Sequence, residues 1–378
     1  MRKLVALFLS LVFLIPLNTA AVSALTDEEI TAPSAVLIEP QTLKVLYEKN
    51  AHEQRACASV TKVMTLILVM EAIDSGKLNW DEMVTSSAHA ASMGGSDIWL
   101  EEGEQMSVRD MVKATVVASA NDAAVALAEA VSGTEEEFVR QMNEKAKALG
   151  MKNTVFKNCN GLDEEGHLTT AYDVALMSCE LIKHEEIFEF TSIWMDELRG
   201  GKTQIVNTNK LLKSYKGITG LKTGTTSQAG SCISATAERD GLSLVAVVLG
   251  SETGTDRFKA AATLLDYGFA NYKKVPLSVP QEAVNEVKVK NGMTDRVTVK
   301  YDVPQDIIME SSKAQAEVKV ELPEEITAPV EENQIIGSVS FYSGEEKIAE
   351  YPLLSSQAVK EVNFGDVFSI MIKNLFAC

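Results

Sequence analysis

The chain has 378 residues, 46% of them apolar, and a formal net charge of −18. So acidic a balance disfavours a phosphate backbone as partner and sets nucleic acid aside. The composition is ordinary for a folded protein, without a low-complexity tract.

The chain opens "MRKLVALFLSLVFLIPLNTAAVSALTDEE". Arg2 and Lys3 give a positive start, Leu4 to Leu17 an apolar run, and Val22-Ser23-Ala24 a small-residue cleavage site. This is the pattern of a secretory signal peptide over residues 1–24, and it implies a secreted protein. The apolar run is short of the roughly 20 residues a spanning helix needs, so an uncleaved N-terminal anchor is the weaker rival reading. Without the signal, 378 − 24 = 354 residues remain, with a charge of −18 − 2 = −20. That length suffices for two domains with cores of their own.

Next come two short apolar runs, "SAVLIE" (34–39) and "TLKVLYE" (42–48), split by Pro40-Gln41, which predict a hairpin. From Ser59 to about Ile73 the sequence is apolar on nearly every face, the mark of a buried helix, with Gly76 as its terminator. Residues 80–183 read mainly as helices. Ser107 with Asp110 and Thr170 with Asp173 stand at N-capping spacing, and Phe138, Met142, Ala146 and Leu149 share one helical face. The runs 218–226, 231–238 and 242–250 predict an antiparallel three-strand meander, closed by the helix "RFKAAATLLDYGFANY". This order predicts one sheet packed against helices, with a helical subdomain inserted between its strands.

From about Pro276 the pattern becomes alternating, as in "AVNEVKVK", "RVTVKYD", "AEVKVEL", "IIGSVSFY" and "KIAEYPL". It predicts a small, separate β domain with no chemistry of its own, a spacer or interaction module. The expected division is 25–275, 276–355 and a terminal helix over 356–378. In that helix Phe364, Val367, Phe368, Met371 and Leu375 fall on one face, opposite Asp366, Ser369 and Lys373.

Five cysteines, Cys57, Cys159, Cys179, Cys232 and Cys378, show no C-x-x-C spacing and read as buried thiols. The four histidines, His52, His89, His167 and His184, have no metal-ligand spacing. Neither a metal nor another cofactor is expected.

Three short motifs carry chemistry: Ser59-Val60-Thr61-Lys62, Ser119-Ala120-Asn121 and Lys222-Thr223-Gly224-Thr225. Singly they are weak, since an S-x-x-K arises about once or twice by composition in a chain this long. Lys62 has two readings, a polar residue at a frayed helix start or a buried amine beside a hydroxyl. "VMTLILVM" immediately after it favours burial. Burial disfavours an ammonium, so a dry Lys62 becomes a base able to activate Ser59, and a nearby Lys222 would push the same way. Ser119 and Asn121 also fit a helix N-cap, and Asp122 fits the first turn of that helix.

Together the motifs resemble those of penicillin-binding proteins and class A β-lactamases. Among these the chain is similar to the low-molecular-mass penicillin-binding proteins that are serine-type D-alanyl-D-alanine carboxypeptidases. "ASVTKVMT", "GEQMSVRDMVKATVVASANDAAVALAE", "FVRQMNEKAKALGMKNTVFKN", "GLDEEGHLTTAYDVALM", "NTNKLL" and "GITGLKTGTTSQAGSCISATA" carry the resemblance, over residues 30–275 and on through the β domain and terminal helix. It implies an α+β fold, a β-lactamase/transpeptidase-like antiparallel sheet flanked by helices with an inserted helical subdomain, followed by a small all-β domain.

It further implies Ser59 as nucleophile, Lys62 as base and Ser119 as proton relay. Asn121 would hold the substrate amide, and Lys222, Thr223, Gly224 and Thr225 the terminal carboxylate and the backbone of an added strand. The N–H groups of Ser59 and Thr225 would form the oxyanion hole. The implied substrates are peptidoglycan stem peptides, with β-lactam antibiotics as covalent inhibitors. The terminal helix would lie on the outer face of the cytoplasmic membrane, a helix packed on the β domain being the alternative. Two differences bear on activity. Thr225 stands where some relatives have histidine, and no E-x-x-L-N segment occurs between Asn121 and Lys222 to drive fast penicillin hydrolysis. A β-lactamase, an endopeptidase acting on cross-links and a silent wall-binding protein are the rival readings.

Overall fold

The computed structural model describes residues 25, 26 and 28–376. The signal-peptide segment 1–24 and Cys378 lie outside the described residues. Strands β1 (Ser34–Glu39), β2 (Lys44–Lys49), β3 (Ile218–Thr226), β4 (Gly230–Arg239) and β5 (Leu242–Ser251) form one antiparallel sheet, in the order β2-β1-β5-β4-β3. The expected hairpin and meander therefore join through β1 and β5, and β3 is left as an outer strand.

Alternation along these strands feeds two cores. Val36, Ile38, Val245, Val247 and Leu249 face the larger core. Ala35, Leu37, Leu244, Ala246 and Val248 face the other. The larger core is shared with helices α1 (Lys62–Asp74), α2 (Val108–Lys113), α3 (Asn121–Ser132), α4 (Glu135–Ala148) and α5 (Ala171–Leu181) of the inserted region. On the opposite face Ala260, Ala261, Leu264 and Leu265 of α6 (Gly254–Asn271) close the second core. A sheet covered on both faces reads as continuous apolar runs, which is why the meander was plain in the sequence.

Capping fixes the helix starts as the spacing predicts. Ser107 Oγ accepts from Asp110 N at 3.1 Å and Thr170 Oγ1 from Asp173 N at 3.0 Å. Phe138, Met142 and Ala146 are buried on one face of α4.

Strand β6 (Tyr272–Pro276) leaves α6 and pairs antiparallel with β9 (Asp306–Glu310), so a two-stranded ribbon links the two domains. Strands β7 (Glu286–Lys290), β8 (Arg296–Lys300), β10 (Glu317–Glu321), β11 (Glu325–Thr327), β12 (Ile335–Ser343) and β13 (Glu346–Ser355) form a sheet in the order β10-β12-β13-β8-β7-β11. Its core is small, built on Val287, Val297, Val339, Phe341 and Leu353.

The boundaries differ from expectation at both ends of this domain. The ribbon carries domain pairing across residue 276, and residues 356–361 stay with the β domain, where buried Val359 bridges Val330 and Glu361 bridges Gly292. The last helix, α7, therefore begins at Phe364 and runs to Phe376. Its Phe364, Val367, Phe368, Met371 and Ile372 are exposed, contrary to a helix packed on the β domain. Among the described residues no helix is long and apolar enough to cross a membrane.

Candidate active site

Ser59 is not in an α-helix. Ala58–Thr61 is a 3-10 turn, and α1 begins only at Lys62. The tighter winding arises because Ala58 takes a left-handed conformation, φ +51°, and Val60 N donates to Cys57 O at 3.2 Å. Strand β3 presses on this turn at Gly224. A Cβ there would lie 2.6 Å from Cys57 O and 2.8 Å from Ser59 N, so only glycine allows the approach. Gly224 is thus required by the turn that carries Ser59, a different reason from room for an added strand. Gly161 meets the other side, where a Cβ would fall 2.0 Å from Ala58 O.

The Lys62 side chain is fully buried. Its Nζ lies 3.0 Å from Ser59 Oγ, 2.5 Å from Asn121 Oδ1 and 2.7 Å from Asn160 O. Asn121 Nδ2 donates to Gly94 O at 2.6 Å; a carbonyl can only accept, so the amide orientation is fixed with oxygen toward Lys62. A neutral amine has two hydrogens and one lone pair. The two carbonyl oxygens take the hydrogens, and the lone pair is left for the Ser59 hydroxyl proton. Burial lowers the Lys62 pKa to about 7, opposed by Cys159, Asp97 and Asp122. The buried-amine reading of this lysine is the one the geometry bears out.

Ser119 and Asn121 arrive from a different wall. Residues Ala114–Ala118 wind as a π-turn, and Ser119 follows in a left-handed conformation, φ +60°. Such a backbone costs a residue with a Cβ roughly 1–2 kcal/mol and is held by its surroundings. The helix-cap alternative fails: Ala120 occupies the N-cap of α3 and no side chain caps it. Asp122, in the first turn as expected, is buried and accepts from Ile98 N and Leu100 N. Asn121 N donates to Ser96 O at 2.6 Å, so the segment Gly94–Leu100 is stitched to this wall.

Lys222 reaches Ser119 Oγ at 2.8 Å and Thr223 O at 3.0 Å and is also buried. Burial holds its pKa well below the usual lysine value, and Lys62 and Arg257 add repulsion. The expected influence between the two lysines therefore falls on Lys222, not on Lys62. Thr223 and Thr225 lie on the other side of the strand from Lys222, by alternation. Thr223 Oγ1 pairs with Thr208 Oγ1 at 2.6 Å, while Thr225 Oγ1 donates to Gly224 O at 2.8 Å.

Sequence reasoning missed Arg257. From α6 its Nη1 donates to Gly224 O and Thr225 Oγ1, both at 2.8 Å, and to Cys232 O at 3.3 Å, bracing the K-T-G strand from beneath. It also missed Asn160, whose main-chain oxygen holds Lys62, a contact that no side-chain motif announces. Lys62, Lys222 and Arg257 thus converge with only neutral acceptors within hydrogen-bond reach.

A sheet edge set against a serine–lysine turn whose lysine is buried, with a second lysine opposite, defines a protein of the penicillin-binding, transpeptidase-like class. Residues 19–253 match the family model for D-alanyl-D-alanine carboxypeptidase, and residues 272–361 that for the C-terminal domain of penicillin-binding protein 5. The chain is 44% identical to D-alanyl-D-alanine carboxypeptidase DacF of Bacillus subtilis (strain 168), over 88% of this chain and 87% of that one. Penicillin-binding protein 5 from Haemophilus influenzae has a similar structure, with TM-score 0.77 at 30% identity, covering 88% of this chain and 98% of that one. Penicillin-binding protein D2 from Listeria monocytogenes, solved in a cefotaxime-bound form, superposes with TM-score 0.56 at 36% identity, over 64% of this chain and 98% of that one. The chain belongs to the D-alanyl-D-alanine carboxypeptidase family.

Proposed function

We propose that this protein removes the terminal D-alanine from peptidoglycan stem pentapeptides through an acyl-enzyme on Ser59, and that penicillin traps it there. The observation that carries the reading is the dry Lys62 amine, 3.0 Å from Ser59 Oγ with its hydrogens engaged elsewhere. Lys62 takes the Ser59 proton as Oγ attacks the carbonyl carbon of the penultimate D-alanine. The oxyanion is received by the backbone N–H groups of Ser59 and Thr225. Collapse breaks the C–N bond as the proton held on Lys62 passes to the departing amine by way of Ser119, which Lys222 contacts. Water then attacks the ester with the neutral Lys62 taking its proton, and that proton returns to Ser59 Oγ as the C–O bond breaks. The substrate carboxylate sits with Lys222, and Asn121 holds the amide of the acyl side.

Penicillin acylates the same serine, but its ring stays tethered and obstructs the water. No E-x-x-L-N glutamate is present to activate that water. The test is D-alanine release from a synthetic stem pentapeptide: about one equivalent from the wild type and none from Ser59→Ala. Release by Ser59→Ala would contradict the reading. Cross-linked dimers left intact would separate it from endopeptidase action.

The signal-peptide pattern and the exposed apolar face of α7 support a secreted protein held on the outer face of the cytoplasmic membrane by its C-terminus. Five large apolar side chains at roughly 1.5–3 kcal/mol each suffice for reversible attachment. Deleting residues 364–378 should shift the protein to the soluble fraction with its activity on soluble peptide retained. Unchanged fractionation would contradict a C-terminal anchor.

A further inference from the structure

Next to the Ser59 turn lies a run of polar groups, most of them buried, that the proposed reaction does not use. His167 is 4% exposed and sits on the segment that also supplies Asn160 and Gly161. Lys157 N is 3.3 Å from His167 Nδ1, and His167 Nε2 is 2.9 Å from Thr61 Oγ1. A backbone N–H can only donate, so Nδ1 accepts and the ring hydrogen is on Nε2. Nε2–H therefore donates to Thr61 Oγ1. The Thr61 hydroxyl is then free to donate to Cys57 Sγ at 3.3 Å, and the Cys57 thiol points at Ala58 O at 3.8 Å.

Every bond in this chain runs in one direction, from Lys157 N–H to the carbonyl of the residue before Ser59. Bonds aligned in series polarise one another in a dry interior. Burial keeps the chain in this state: it pushes His167 down to about 4, so the ring is neutral, and Cys57 up to about 12, so the thiol keeps its hydrogen. Ala58 is also the residue with φ +51°, and its carbonyl is the atom Gly161 packs against. The chain thus ends on the hinge that sets the direction of Ser59. Thr61, its middle member, lies between Ser59 and Lys62.

We propose that His167 is a positioning residue for acylation: as the Nε2–H tautomer it orients, through Thr61 and Cys57, the turn that holds Ser59 against Lys62, without touching substrate. This rests on the assignment of Ser59 as nucleophile. Oxygen-to-amine geometry at the reacting pair is sensitive to shifts well under 1 Å, so loosening the turn should slow the chemical step and leave binding alone.

The experiment is stopped-flow acylation of the purified full-length protein by a fluorescent penicillin, resolved into a limiting rate and a half-saturating concentration. His167→Met keeps volume without a donor, His167→Gln restores an amide N–H near Nε2, and Thr61→Val removes the hydroxyl at constant shape. His167→Met and Thr61→Val should each lower the limiting rate about tenfold or more with the half-saturating concentration changed less than about twofold. His167→Gln should recover to within about threefold of the wild type, and the double variant should be no slower than the slower single one. A His167→Met protein acylating at the wild-type rate overturns the proposal, as do additive losses or a Gln variant as slow as the Met variant. If His167→Met fails to fold, Thr61→Val decides alone, and a wild-type rate there overturns the proposal. Labelling that persists in Ser59→Ala would instead remove the underlying nucleophile assignment, a separable failure.

Discussion

The catalytic and C-terminal domains use the same side chain in opposite ways. In the first, Lys62 and Lys222 are buried among neutral acceptors. In the second, Lys288, Lys290 and Lys319 alternate with buried or half-buried valines and point to water. The difference follows from how each sheet is covered. Helices lie on both faces of the first sheet, so a polar group within it is dry and must be satisfied by fixed partners. The second sheet has one small core, and its charged faces keep it soluble and blunt its edges. Drying a lysine changes its chemistry.

Exchanging lysine for arginine should have opposite consequences in the two domains. A guanidinium cannot deprotonate in a protein, so Lys62→Arg should slow penicillin acylation by on the order of 10²–10⁴-fold. Lys319→Arg should leave it unchanged. Near-normal acylation by a folded Lys62→Arg protein would remove Lys62 from the mechanism.

A second, smaller effect is the pH dependence of acylation. The Lys62 pKa is lowered to about 7, and the reactive form is the neutral amine. That form is scarce below the pKa and dominant above it. The limiting acylation rate should therefore rise about tenfold per unit below pH 7 and level off above it. A rate flat from pH 5 to 8 would mean that Lys62 is not the base.

The smallest expected effect on activity comes from damage to the second domain. Phe341 is 1% exposed in the β-domain core, and Phe341→Ala should destabilise that domain by about 3–5 kcal/mol. Thermal unfolding should show the loss, while acylation at 25 °C stays within about twofold of the wild type. A large fall in acylation would show that the two domains are coupled across the β6–β9 ribbon.

Much of this was legible in the sequence because it rests on local pattern. The strands of the meander appear within a residue or two of expectation, since continuous β-branched runs between turn residues admit few alternatives. Strand β9 and the short β11 were missed, being partly exposed and lacking clear alternation. The Ser59, Lys62, Asn121, Ser119 and Lys222 cluster was legible as motifs, and the structure joins those side chains in two hydrogen-bonded sets, Ser59–Lys62–Asn121 and Ser119–Lys222. Arg257 was not legible, because an arginine in the first turn of an amphipathic helix looks like a solvated charge until the sheet is packed beneath it. The 3-10 winding at Ser59 was hidden too, since it depends on Gly161 and Gly224 closing from remote parts of the chain.

The atom that is acylated is Ser59 Oγ. Purified protein would be exposed to benzylpenicillin, digested, and its peptides read by mass spectrometry. A single penicilloyl adduct should appear on the peptide carrying Ser59, persist for many minutes, and be absent from Ser59→Ala. An adduct on Ser119 or on any other peptide, or no adduct because penicillin is rapidly turned over, would contradict it.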